Sequence, residues 1–309
     1  MISRINKYLS LIKFSHTIFA MPFALIGFFL ATTSIEKSID SKWGRYELTN
    51  LEQRYVLGHN LYLKLFFLII LCMIFARSAA MAFNRWLDAK YDALNPRTAI
   101  REIPKGVITE KNALLFVIFN CLAFVVCTWF INLLCFYLSF VALFVILFYS
   151  YTKRFTLLCH LVLGVGLSLA PIGAYLAVTG VFNLLPILFS FTVFFWVSGF
   201  DIIYALQDEE FDKTNNLKSI PAVLGKKSAL RVSELLHVLS AACIIYAGYY
   251  GHFHWLYWIG VAVFIGLLIY QHTLVKPTDL SKVNMAFATT NGIASVIFCV
   301  FVLLDLFIN

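Results

Sequence analysis

Nine apolar runs of about 20 residues each divide the chain, and they limit its fold more than any other feature. They cover 14–33, 61–83, 113–131, 133–151, 156–178, 184–203, 232–250, 255–275 and 284–307. Each is long enough to cross a hydrocarbon layer about 30 Å thick as a helix. Inside a bilayer every backbone N–H and C=O must be satisfied within the protein, which leaves helices and closed barrels. No period-two alternation persists over barrel-strand lengths, so the expectation is an all-α polytopic membrane protein. The composition agrees: 61% of the 309 residues are hydrophobic, 13% are charged, and the mean hydropathy is +0.85. Those values exclude a soluble globular enzyme, a disordered chain and a disulfide scaffold. We expect one integral-membrane domain over 1–309, with the first apolar run kept as a helix. The seven cysteines lie mostly inside apolar runs and form no CxxC, so they read as small buried apolar residues.

A net charge of +8 in a soluble protein would raise nucleic acid as a partner. Here the cations lie between apolar runs and report topology instead. With the N-terminus in the cytoplasm, the inside segments hold 18 Lys and Arg and the outside segments 5, with Arg77 inside the second run. That split predicts N-terminus in and C-terminus out, in a bacterial inner membrane. The loops 84–112 and 204–231 then lie on the cytoplasmic side. Each follows the second helix of a set of four, and each carries spaced acids, an Ile-Pro pair (Ile103-Pro104, Ile220-Pro221) and a glycine (Gly106, Gly225). This is a weak internal repeat of two four-helix units plus one extra helix. The long outside segment 34–60, with Trp43, Tyr46 and Tyr55, fits the outer interface and is assigned no chemistry.

The two charged loops carry the candidate site. Asn84, Asp88 and Asp92 are spaced four and four, which places them on one helix face over about 12 Å. Asp201, Asp208 and Asp212 are spaced seven and four and are expected to share a face as well. Carboxylate and amide oxygens are hard ligands suited to Mg²⁺, which takes one or two carboxylates and completes its shell with water and phosphate oxygens. Two such faces meeting at the cytoplasmic end of a bundle would hold a diphosphate between metal ions. Arg97, Arg101, Lys153 and Arg154 would contact its oxygens directly. The lipid tail would lie among the apolar helices. For Lys153 and Arg154 the competing reading is plain positive-inside anchoring.

Asn-xxx-Asp-xxx-Asp after the second run, Asp-xx-Tyr-xxx-Asp-xxx-Asp after the sixth, and Tyr149-Ser-Tyr-Thr-Lys153-Arg154 after the fourth resemble the UbiA superfamily of intramembrane aromatic prenyltransferases. The resemblance spans nearly the whole chain. The stretches Ala76–Arg85, Asn95–Ala99 and Gly199–Tyr204 look most like the 4-hydroxybenzoate polyprenyltransferase branch, some members of which serve menaquinone synthesis by the futalosine route. The resemblance implies nine helices around a central cavity open toward the cytoplasm. It implies Mg²⁺-dependent transfer of a polyprenyl chain from its diphosphate to an aromatic acid in respiratory quinone synthesis. A 4-hydroxybenzoate-type ring and a naphthoate-type ring both remain open as acceptor. It makes Asp88, Asp92, Asp208 and Asp212 catalytic, adds Asn84 and Asp201 as metal ligands, and puts Tyr204 beside the acceptor.

Arg77 lies seven residues before Asn84, on the same helix side and about 10 Å deeper. An arginine inside a span costs about 2.5–3.5 kcal/mol on insertion scales, so it is expected to face a cavity and to have an anionic or carbonyl partner. One such partner is the acceptor's carboxylate, and another is a structural pairing with Asp201 or a helix carbonyl. A transporter is the main non-enzyme alternative. Transport sites lie near the midplane on broken helices, whereas these acids cluster at the membrane edge. A CDP-alcohol phosphotransferase is excluded because its Asp-xx-Asp-Gly opening is absent.

Overall fold

The computed structural model describes residues 2–12, 19–43 and 51–308. Among these the chain is helical, with no named strand: α1 (Ile2–Leu11), α2 (Met21–Trp43), α3 (Leu51–Leu87), α4 (Ala89–Leu94), α5 (Glu110–Trp129), α6 (Leu133–Thr152), α7 (Cys159–Thr179), α8 (Leu184–Ala205), α9 (Glu209–Thr214), α10 (Ile220–Tyr250), α11 (Trp255–Leu274) and α12 (Asn291–Ile308). Short polar connections start these helices by a common device. Thr109, Asn132, Asn183 and Ser219 each accept a bond from a first-turn backbone N–H, at Asn112, Cys135, Leu185 and Ala222. In a bilayer such caps matter because no water reaches those orphan donors cheaply.

Eight helices among the described residues are long and apolar enough to cross a membrane. Nine were expected. The run 14–33 corresponds to the start of α2, whose apolar stretch Met21–Ile35 is shorter than a full span, and residues 14–18 lie outside the described residues. Tyr46 and the side chains of Trp43 and Tyr55 also lie outside them. Pro22 stands at the second position of α2, where its missing N–H costs nothing, rather than kinking a span. The run 232–250 is only the later part of α10, which begins twelve residues earlier at Ile220. Its first turns break at Gly225 (φ 78°, ψ 162°), a conformation open to glycine. Gly106, its counterpart in the other loop, is also left-handed (φ 70°), so the paired glycines answer a shared backbone demand.

Helix α8 is the central element, packed against α7 and α10, while α3 packs on α5 and α11 on α12. A core of Phe23, Phe189, Trp196, Tyr257, Phe264 and Phe298 joins α2, α8, α11 and α12. Close approach is bought with small residues: a Cβ on Gly164 would overlap Ser198 and the Phe194 carbonyl, and one on Gly27 would overlap the Pro171 carbonyl. Gly166 and Gly173 have no such close neighbour. Large apolar side chains such as Leu122, Tyr137, Phe144 and Val238 face outward, as a lipid-facing surface requires. At the end of the bundle away from the charged loops, the buried Asp305 accepts bonds from His254 N (2.9 Å) and Tyr257 N (3.1 Å). A carboxylate borrowed from α12 thus caps the N-terminus of α11.

Candidate functional site

Helix α3 formally ends at Leu87, yet the ladder continues. Asp88 N bonds to Asn84 O at 3.0 Å and Asp92 N to Asp88 O at 2.8 Å. The four-residue step therefore survives the break, and Asn84, Asp88 and Asp92 all line one cavity of about 540 Å³. Asp201, Tyr204 and Asp208 face them from α8 and the 3₁₀ turn Leu206–Asp208. Asp212 departs from the expectation of a shared face. Asp208 leaves helical geometry (φ −104°, ψ 4°), and this break re-aims α9. Asp212 is fully buried behind the cavity wall, held by Lys153 Nζ at 2.7 Å and Ser219 Oγ at 2.8 Å.

The four cations expected to reach phosphate directly are each paired with an acid. Arg97 grips Asp208 in bidentate fashion (Nε–Oδ1 3.0 Å, Nη2–Oδ2 2.5 Å). Its third nitrogen donates to the Tyr204 hydroxyl at 3.0 Å. Arg101 donates from one nitrogen to both oxygens of Asp92, at 2.7 and 2.8 Å. Arg154 donates to Asp88 at 2.8 Å and to the Leu87 and Ser150 carbonyls. Lys153 holds Asp212. These cations remain between 23% and 32% exposed, so their heads are still reachable from the cavity. Burial pushes the Asp88 carboxyl up, against the opposing pull of Arg154. Burial alone would lower the Lys153 ammonium, but Asp212 outweighs it and the net direction is upward, which keeps the lysine charged.

Sequence reasoning passed over three supporting residues. Asn95 donates to Asp208 at 3.1 Å and accepts from Arg97 N at 3.0 Å, fixing the loop that delivers the arginine. Its Asn-Pro-Arg context was a readable turn signal. His160 carries no local sequence signal of a site role. It lies on the cavity wall with Nδ1 2.7 Å from Asp201 Oδ2 and Nε2 accepting from Ile220 N at 3.4 Å. Glu102 pairs with the buried Arg85 at 3.0 Å and accepts from Ser10 of α1, tying the N-terminal helix to the cavity mouth.

Deeper in the bundle lies a second, almost wholly apolar chamber of about 330 Å³ between α3, α5, α6 and α7. Arg77, Tyr149, Leu163 and Leu167 line both spaces, so the charged cavity and the apolar chamber adjoin there. Arg77 makes no ion pair among the described residues, and its buried Nε has no hydrogen-bond partner. The structural pairing with Asp201 is not formed; Asp201 Oδ2 instead lies 2.7 Å from His160 Nδ1.

A helical membrane bundle with an oxygen-rich, cation-lined cavity beside an apolar chamber defines a protein that handles an amphiphile with an anionic head. The chain belongs to the UbiA prenyltransferase family, whose sequence profile matches residues 55–300. It is 30% identical to the 4-hydroxybenzoate octaprenyltransferase of Francisella tularensis subsp. mediasiatica over 230 residues, covering 74% of this chain and 80% of the relative. A UbiA homologue from Aeropyrum pernix K1 superposes with a TM-score of 0.77 at 28% identity, covering 94% of this chain and 98% of the other. A UbiA homologue from Archaeoglobus fulgidus, solved with DMAPP and Mg²⁺, shares the fold at TM-score 0.68 and 19% identity, covering 97% and 99%.

Proposed function

We propose that the protein transfers a polyprenyl chain from its diphosphate to the ring of an aromatic acid of the 4-hydroxybenzoate class, in respiratory quinone synthesis. The observation that carries this reading is the junction of the charged cavity with the apolar chamber at Arg77 and Tyr149. The names of the curated relatives support the same acceptor class. The donor set suits Mg²⁺: Asn84, Asp88, Asp92, Asp201 and Asp208 offer oxygen at the cavity wall. Among the described residues no three acidic, histidine or cysteine side chains converge on one point. Mg²⁺ takes one or two carboxylates and leaves its other positions to water and phosphate. When bound, Mg²⁺ supplies neutralisation of charge on the departing diphosphate.

The chain's own residues do the rest. Arg97, Arg101, Lys153 and Arg154 hold the diphosphate oxygens, exchanging part of their bonding to the acids for bonding to phosphate. Asp212 keeps Lys153 aimed and charged, a supporting role in place of the ligand role expected for it. The C–O bond of the prenyl diphosphate breaks with its electron pair leaving on the diphosphate. A ring carbon of the acceptor forms the new C–C bond, and its proton leaves with the diphosphate. Tyr204 and Arg77 orient the acceptor. The apolar chamber takes tail and excludes water, which would otherwise quench the allylic cation.

The test is a membrane assay supplying a long-chain prenyl diphosphate with a 4-hydroxybenzoate and a naphthoate acceptor, products being identified by mass. The expected product is the prenylated benzoate. Product from the naphthoate alone would move the acceptor to the menaquinone route, and no product from either would remove the reading.

The 18-to-5 charge split supports an inner-membrane protein with the N-terminus and both motif loops in the cytoplasm and the C-terminus outside. A reporter fused after Asn309 in a bacterial host should then read as external. A cytoplasmic signal would reduce the number of crossings by one.

A further inference from the structure

The approach to α12 is an irregular stretch of helix that touches the cavity. Residues Met285–Thr290 form a π-helix immediately before Asn291. Such turns sacrifice regular bonding and recur at functional sites. This one is held by a fully buried amide. Asn291 Nδ2 donates to the Ala286 and Phe287 carbonyls, each at 3.0 Å, and to Gln271 Oε1 at 3.2 Å. Its Oδ1 accepts from Trp196 Nε1 at 2.8 Å. The amide ties the widened turn to α8 and α11, and what the turn delivers to the cavity wall is Phe287.

The Phe287 ring lies 4.2 Å from the Tyr204 ring at a 32° tilt, and 5.5 Å from both Phe200 and Phe19 in edge-on contact. All four rings line the same cavity. Their depth is set by α8. Tyr204 lies four residues before Asp208, about one turn or 6 Å further in. A diphosphate held beside Asp88, Asp92 and Asp208 would point its prenyl end into the bundle, toward the Tyr204 and Phe287 rings that line the same cavity. Tyr204 is already engaged by a permanent cation: the Arg97 guanidinium carbon lies 5.4 Å from its ring centroid, and its hydroxyl accepts from the same arginine. Phe287 brings a second ring to that level from a different element.

We propose that Phe287 is a further catalytic residue, its ring lying against the allylic end of the prenyl chain and stabilising the positive charge that develops there as the diphosphate departs. The negative face of an aromatic ring attracts a cation, and a carbocation carries no hydration shell to be stripped away first. Phe287 forms and breaks no bond. The electron pair still leaves with the diphosphate, and the ring carbon of the acceptor still supplies the new bond. The inference rests on the prenyl-transfer reading above.

The experiment places mono-, di- and trifluorinated phenylalanine at position 287 of the full chain in membranes, which keeps the ring's shape and drains its face of charge. With prenyl diphosphate and aromatic acid supplied, log kcat should fall stepwise with fluorine number, reaching about 30-fold for the trifluoro ring, while both KM values stay within about twofold. Phe287→Leu should resemble the trifluoro protein. A flat kcat series in protein of wild-type abundance overturns the assignment, as does a change confined to the acceptor's KM. Wild-type protein that forms no product with any acceptor overturns the prenyl-transfer reading itself, an outcome distinct from a flat series in active enzyme.

Discussion

Asp208→Asn is expected to lower turnover by about 10²-fold or more while the protein still inserts, with Asp88→Asn close behind. Asp208 is where the two halves of the site meet. It accepts two bonds from Arg97 and one from Asn95, and it lies across the cavity from Asp88 and Asp92. Replacing one carboxylate oxygen by an amide removes the charge that a divalent ion would use and sets an N–H donor against a guanidinium that needs an acceptor. The fold has little at stake, because Asp208 sits at a cavity edge and not in the packed core. Kinetics on membranes with matched abundance, with and without EDTA, are the check. Near-wild-type turnover of the variant, or of wild type in EDTA, would falsify the metal role. Asp212→Asn should differ in kind: acting through Lys153, it should raise the KM for prenyl diphosphate more than it lowers kcat.

That difference marks where sequence reasoning stopped. Helical spacing located Asn84, Asp88 and Asp92 on one wall because the hydrogen-bond ladder runs on through Asp88. The same rule misplaced Asp212, since a 3₁₀ turn and the non-helical Asp208 intervene and no residue pattern announced them. The acid–cation pairing was also invisible. Asp208 and Arg97 are 111 residues apart, and Asp88 and Arg154 are 66 apart, so only the packing of α3, α6 and α8 brings them together. Apolar run length found the interiors of the spans but not their ends. The charged residues 220–231 continue α10 because Ser219 caps it and Pro221 suits its first turn. Asp305 gave no hint of its partner, since a cap supplied by another helix leaves no local signature. The π-turn before Asn291 is likewise a tertiary product, fixed by Trp196 and Gln271.

Arg77→Ala is expected to raise the KM for the aromatic acid about 10²-fold and to leave that for prenyl diphosphate little changed. Arg77 lies about two turns below Asn84, where the charged cavity meets the apolar chamber. Holding a guanidinium there is costly, and the protein does not recover that cost through an ion pair among the described residues. Asp201, the nearest carboxylate in the sequence argument, is committed to His160 at 2.7 Å. The other acids on the cavity wall have their own cations. Arg77 lines the cavity, keeps a buried nitrogen unpartnered and has no ion pair among the described residues, so it suits an anion that arrives with the substrate, and a ring carboxylate matches its planar fork. In the proposed reading the diphosphate is met higher up by Arg97, Arg101, Lys153 and Arg154, so its affinity should not depend on Arg77. Arg77→Lys keeps the charge and loses the fork, and should fall between wild type and Arg77→Ala. Steady-state kinetics with each substrate varied in turn decide the matter. Equal rises in both KM values would move Arg77 to the diphosphate. Reduced abundance with unchanged kinetics in the surviving enzyme would make it a structural residue and end the proposal.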